Sequence, residues 1–302
     1  MGVGMDITFV KLVIGTRLES DVTDPWLPFR IRETFQEAFR SAVGCEEESC
    51  ERCRGEDECP YRSIFSQSLS SDPAMVRRHQ KPPLPFAFQF PVLPAVPNKG
   101  ERFEVGLTLV GSAVMHGNLF LSALASCFAG QGGNVLPARI DTVETVGYFG
   151  ERSPWSFEGD ATPHLLSASG LLATGVFGDR MTLRLLTPLK LLQEGRPQRS
   201  FSFPKFFRPL QRRVTSLAAS YGEGDVTGDF RWLSSECERV SVGGSMEWVA
   251  WRRGTIAGMV GEAVLSGVRE EFLPFLLFGQ YLNLGKGAAF GLGQFAVRPQ
   301  FP

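Results

Sequence analysis

Residues 277–297 read LFGQYLNLGKGAAFGLGQFAV. An apolar run at helical spacing (Phe272, Phe275, Leu276, Leu277, Tyr281, Leu282) passes into Gly285, Lys286 and Gly287, then Gly291 and Gly293. An alternating strand, Phe295 to Val297, follows. Glycines this dense between a helix and a strand supply positive φ and admit another backbone at close range. Amide groups exposed in such a turn can face an anion, and Lys286 adds a positive charge beside them. The same glycines also suit a tight turn that binds nothing, so the surrounding chain has to decide.

Working outward, a strand is expected over Met181–Leu192, a helix over Lys205–Tyr221, and strands around Val240–Arg252 and Gly258–Leu265. A helix over Glu271–Leu284 and the closing strand complete the set. The first half gives the same order. Ile7–Ile14 alternates as a strand, and Phe29–Val43 places Ile31, Phe35, Phe39 and Val43 at helical spacing. Strands over Phe86–Val92 and Arg102–Val110, a helix from Met115 to Phe128 ending in Gly130, Gly132 and Gly133, and a strand over Arg139–Tyr148 follow. Strand, helix, strand, strand, helix, strand is the ferredoxin-like order, here twice. The expected fold is α+β, with tandem ferredoxin-like (RRM-like) domains at residues 1–152 and 170–302. An irregular, cysteine-rich insertion spans about 44–85, and Ser153–Ser169 reads as the linker.

The motif GKGAAFGLGQFAV resembles the C-terminal glycine-rich loop of the RAMP (repeat-associated mysterious protein) superfamily, and within it the CRISPR precursor-RNA-processing endoribonucleases. The resemblance extends through LTPLKLLQEGRP (Leu186–Pro197), FFRPLQRRVTSLAASYG (206–222), WVAWRR (Trp248–Arg253) and GMVGEAVLSG (Gly258–Gly267), in the family's order. It implies tandem ferredoxin-like domains and a repeat-RNA endoribonuclease that needs no metal for catalysis. In that chemistry the RNA's 2′-hydroxyl attacks the adjacent phosphate, leaving a 2′,3′-cyclic phosphate and a 5′-hydroxyl.

Composition sets the bounds. The length of 302 residues accommodates two domains, and 43% hydrophobic with 21% charged residues is ordinary for a folded chain. No apolar run approaches membrane-spanning length, and MGVGMDITFVKLVIG reads as a strand with no basic leader, so a cytoplasmic protein with no membrane partner is expected. The net charge of −1 hides a division: residues 45–59 hold seven acids against Arg52 and Arg54, which leaves the rest of the chain at net +4. RNA binding therefore requires a local cationic patch.

Cys45, Cys50, Cys53 and Cys59 are spaced C-x4-C-x2-C-x5-C. Thiolates this close can wrap one tetrahedral ion, and a structural zinc is the preferred reading. The first three also fit a plant-type iron–sulfur spacing, which is the minority alternative, and an unmetallated reduced loop is the third. Cys127 and Cys237 read as packing residues.

Cleavage by the RNA's own hydroxyl needs an acid, a base and cationic stabilisation of the phosphorane. Three histidines are available. His79 lies in VRRHQKPP beside Arg77 and Arg78 and is the first catalytic candidate, His116 the second and His164 the third, although a structural or solvated histidine is the commoner outcome for each. The first helix carries no histidine or tyrosine, where some family members place one. Candidate RNA-binding groups are Gly285, Lys286, Gly287, Gly291 and Gly293, with Lys205, Arg208, Arg212 and Arg213 on one helix, Arg252 and Arg253 at a strand end, and Arg77 and Arg78. A solvated cationic face is the plain alternative for that helix.

The sequence thus points to an endoribonuclease that binds CRISPR repeat RNA and cuts it into guide units. The alternative is an inactive relative that holds the repeat-derived tag of the guide within an interference complex, with other CRISPR subunits as partners. A redox protein built on the cysteine loop is a third reading, unsupported by any further cofactor motif.

Overall fold

The structure is a computed structural model that describes residues 4–45, 50, 59–66, 82–92, 98–130, 136–156, 162–175, 177–223, 226–251 and 256–300. Two antiparallel sheets organise it. In the first, β1 (Thr8–Leu18) lies between β3 (Arg102–Val110) and β4 (Ala138–Val146), with β2 (Phe86–Gln89) outside β3 and β5 (Arg152–Pro154) outside β4. Helices α1 (Phe35–Val43) and α3 (Gly117–Phe128) cover one face. A six-residue helix, α2 (Pro60–Phe65), tucks Tyr61 and Ile64 into the same core.

Alternation along β1 explains the layering. Val10, Leu12, Ile14 and Leu18 point to α1 and α3, where Phe35, Phe39, Phe120 and Leu124 meet them with no more than 2% exposure. Phe9 points the other way, into the core of the second half. The expected helix over 29–43 is divided: a 3-10 segment, Leu27–Glu33, runs first, and Thr34 at φ −124° separates it from α1. Gly44 ends α1 in the left-handed conformation, with its amide on Arg40 and Ser41 carbonyls.

In the second sheet the order is β10 (Ser241–Trp251), β11 (Ile256–Ser266), β7 (Arg180–Leu189), β12 (Phe295–Pro299). Both halves therefore place their first strand centrally, between the third and the fourth, as a ferredoxin-like fold requires. Short pieces link them: β6 (Leu166–Ser167) pairs with β1, and α4 (Ala168–Leu172) follows it. A two-residue-strand hairpin, β8 (Leu192–Gln193) with β9 (Arg196–Pro197), leads into α5 (Phe203–Tyr221). The sequence reading passed over α6 (Phe230–Glu236), whose N-cap Asp229 accepts from the Trp232 amide at 2.9 Å.

Helix α7 (Leu273–Leu282) explains its own composition. Eight of its ten residues are buried, because it is wedged between the second sheet and the first half. Phe278 meets Phe9 at a ring-centroid distance of 5.0 Å, and Tyr281 meets the same ring at 4.9 Å. A helix apolar on all sides needs such a position.

Candidate nucleic-acid interface

The glycine-rich turn leaves α7 at Asn283 and returns as β12. Its hydrogen bonds are largely internal: the Leu284 amide donates to Gly293 O at 3.0 Å, Lys286 to Lys190 O at 3.0 Å, and Gly293 to Pro188 O at 3.1 Å. Buried Thr187 donates its hydroxyl to Gly291 O at 2.8 Å and accepts from the Gln294 amide at 2.9 Å. The turn is thus stitched to the end of β7. Gly285 (φ 85°) shows why glycine is needed, since a Cβ there would lie 2.6 Å from Lys190 O. At Gly291 it would lie 2.8 Å from the Phe90 ring.

The expectation of a turn open along its backbone therefore needs correcting. Gly291 and Gly293 are buried, Gly285 and Gly287 half-buried, and only Lys286 is fully exposed. The far side of the turn docks on the first sheet. The Phe88 amide donates to Ala289 O at 2.9 Å, Phe88 and Phe290 form a parallel bridge, and the Phe290 ring stands 5.6 Å from Phe86. The turn extends the first sheet beyond β2 while remaining the hinge of the second.

The expected cations separate into distinct environments. Arg213 is not surface charge. Its Nη2 donates to Leu282 O at 3.0 Å, closing the end of α7, its Nε is buried without a partner among the described residues, and burial pulls its pKa down to about 10. Arg208 is spent on Ser234 and on the Glu238 carboxylate at 2.6 Å. Lys205 donates to Ser200 Oγ at 2.9 Å, and Arg212 is exposed. The fold adds groups the sequence reading passed over. Lys190 is joined to Lys286 through the backbone bond above, and on the adjoining β8–β9 segment Arg196 and Arg199 are exposed, Arg199 lying 5.3 Å over the Trp248 ring. Their signal was present in LKLLQEGRPQR, where cations flank a tight Glu194–Gly195 turn.

His116 sits half-buried at the N-cap position of α3, and burial lowers its pKa; no hydrogen bond or ring contact joins it to the turn among the described residues. His164 sits by the β4–β5 connection, its amide on Thr145 Oγ1 at 3.1 Å. His79, Arg77, Arg78, Arg252 and Arg253 lie outside the described residues.

Cys53 also lies outside them, so the four-cysteine set is not laid out as a whole. Cys50 and Cys59 pack half-buried against the first core, and no group of three or more His, Cys, Asp or Glu is placed to hold a metal among the described residues. Cys127 and Cys237 are buried, which raises both thiol pKa values.

A shallow cavity of about 500 Å³ opens over Gly15, between Arg17, Arg102, Glu104 and Asp141. Arg17 and Arg139 share Asp141 at 2.9 and 3.2 Å, which neutralises much of its charge. No described helix is long and apolar enough to cross a membrane.

Comparison with known proteins fits this architecture. Residues 17–160 match a family model described as an N-terminal domain, and residues 183–295 match that of the CRISPR-associated endoribonuclease Cas6. No curated protein matches the chain in sequence. Among solved structures, a partial Cas6-RT-Cas1–Cas2 complex superposes with a TM-score of 0.62 at 10% identity, over 99% of this chain and 47% of that one. The chain thus spans about half the length of that relative. A Cas6 product complex gives 0.58 at 16% identity, over 96% and 100%. Thermus thermophilus Cas6 gives 0.54 at 15% identity, over 98% and 100%. Likenesses at these identities establish the tandem ferredoxin-like fold. Over residues 183–295 the chain is therefore similar to the CRISPR-associated endoribonuclease Cas6 family.

Proposed function

We propose that this protein binds CRISPR repeat RNA and cleaves it as an endoribonuclease of the Cas6 type. The match of residues 183–295 to the Cas6 family carries this reading. Exposed Lys286, with Lys190 bonded to it through the backbone and exposed Arg196 and Arg199 on the segment that follows Lys190, supplies the cationic surface that RNA phosphates need. The repeat is recognised by shape where it is paired and by stacking and base-edge contacts where it is single-stranded.

In the proposed mechanism the 2′-hydroxyl before the scissile phosphate loses its proton to a base and attacks phosphorus. The leaving 5′-oxygen takes a proton from an acid, and cations steady the extra negative charge of the phosphorane. No metal is needed in this scheme. His79 is the proposed acid or base, with Arg77 and Arg78 beside it and His116 second. The domains proposed are 1–152 and 170–302, with a structural zinc on Cys45, Cys50, Cys53 and Cys59 pinning the insertion. Metal analysis of purified protein tests that last point: one zinc per chain is expected, and brown, iron-containing protein would replace zinc by a cluster.

Incubating the protein with synthetic repeat RNA in excess chelator tests the function. A product ending in a 2′,3′-cyclic phosphate is expected, and His79→Ala should slow its formation by roughly 100-fold or more. Wild-type rates in that variant would remove His79 from the scheme. The second reading is an inactive holder of the repeat-derived tag, working with other CRISPR subunits. It is favoured by the lack, among the described residues, of a histidine at the glycine-rich turn. Tight binding without scission would establish it.

A further inference from the structure

A hydrogen-bonded chain crosses from the first sheet to the root of the glycine-rich turn. Lys11 on β1 donates its ammonium to Gln89 Oε1 at the end of β2. Gln89 Nε2 then faces the end of α7, donating to Gln280 O at 2.7 Å, with Asn283 Oδ1 at 3.5 Å. Asn283, fully buried at φ 54°, donates through Nδ2 to Phe88 O at 2.7 Å and to Ala288 O at 2.9 Å. Three side chains from β1, β2 and the turn thereby fix one another across the two halves.

The direction of this chain is set by the lysine. An amide presents an acceptor on one side and a donor on the other, whereas an ammonium only donates. Lys11 therefore holds Gln89 with its oxygen toward β1 and its NH2 toward the α7 carbonyls, which have no partner within their own helix. Space for the lysine is made by Gly106 on β3, where a Cβ would collide with Nζ and lie 3.1 Å from Gln89 Cβ. Glycine in mid-strand weakens a sheet, and a cation withdrawn from solvent with no carboxylate partner, as half-buried Lys11 is, weakens the packing around it. Lys11 makes no ion pair among the described residues, and burial alone is what lowers its pKa. Two unfavourable features therefore meet where the root of the turn joins the first sheet.

We infer that Lys11, Gln89 and Asn283 are positioning residues that register the glycine-rich turn, and with it Lys286, against the first sheet for RNA processing. The inference rests on the endoribonuclease reading above. It separates from a purely structural role because Lys11→Met keeps the stem's volume and removes a buried charge. Such a change leaves the fold intact or firmer while freeing Gln89 to rotate.

The experiment combines amide hydrogen exchange over 284–293 with single-turnover cleavage of synthetic repeat RNA and its binding. In Lys11→Met, exchange at Leu284, Lys286 and Gly293 is expected to speed up by about tenfold or more, with the thermal midpoint unchanged or raised. Cleavage should fall by roughly 10- to 100-fold while affinity moves by less than about threefold. Gln89→Glu keeps the Lys11 contact but cannot donate to Gln280 O, and should loosen the turn in the same way. Wild-type exchange in both variants overturns the relay, and faster exchange with wild-type cleavage overturns its positioning role. If the wild-type protein itself does not cut, the endoribonuclease reading and the positioning role in cleavage fail together, and exchange still decides the relay.

Discussion

The two halves place a glycine-containing connector at the same topological point, between their second helix and fourth strand, and use it in opposite ways. After α3, Gly130 has φ 76° and open space around the position of a Cβ. After α7, each of Gly285, Gly287, Gly291 and Gly293 has φ between 67° and 89°, with a neighbour within 3.0 Å of the Cβ position. The first connector needs glycine for backbone conformation alone. The second needs it for conformation and for contact, because it is squeezed between β7, Phe90 and the first sheet. The turn whose amides the sequence offers to an anion is a packed joint with one cation on its rim.

Substitution at equivalent points breaks the comparison most sharply. Gly293→Ala would drive a Cβ into Leu284 O at positive φ, and should cost about 3 kcal/mol or more in denaturant unfolding. Gly130→Ala should cost only about 1 kcal/mol, the price of φ alone. Equal costs would mean that the second turn is not packed as described.

A smaller effect distinguishes the halves by pH. Burial holds the Lys11 pKa at about 7 in the folded chain, against 10.5 for the ordinary side chain. Between those values the unfolded chain keeps a proton that the folded chain has released, so stability rises with pH across that window. Below about pH 7 both states are charged and the burial penalty is complete. Lys11→Met should therefore raise the melting temperature more at pH 6 than at pH 9. A gain independent of pH would show that Lys11 is not enclosed at the joint.

Charge gives the smallest contrast. The first connector, AGQGGNVLPA, has no cation, whereas the second carries exposed Lys286. Lys286→Ala should weaken repeat-RNA binding about threefold and reduce the salt dependence of affinity by about one ion. Arg208→Ala, which removes a group already held by Glu238, should leave that slope unchanged. The opposite ranking would move the interface from the turn to α5.

Much of the fold was legible because it follows local rules. The strand Arg102–Val110 and the α1 stripe of Phe35 and Phe39 are periodicities of two and 3.6, read directly from side-chain order. The candidate site was legible only in part. Lys205, Arg208, Arg212 and Arg213 look alike along the chain, but Arg213 lies beneath Leu282 O, Arg208 is paired with Glu238, Lys205 is bonded to Ser200 and Arg212 is exposed. Helical spacing gives each a direction around α5 and says nothing of what stands there. Lys190 was missed because its contact with the turn is a backbone bond from Lys286 across a long stretch of sequence.

The sequence by itself determined the two strand–helix–strand–strand–helix–strand units and the position of the glycine-rich turn, since these depend on propensity and alternation within short windows. Tertiary structure alone decided that the turn is a joint. Phe88 and Asn283 are 195 residues apart and meet only when the second half packs its largely apolar helix α7 against the back of β1. That packing uses up amides and half-buries Arg213 beneath Leu282 O, and it leaves Lys286 as the exposed charge of the turn.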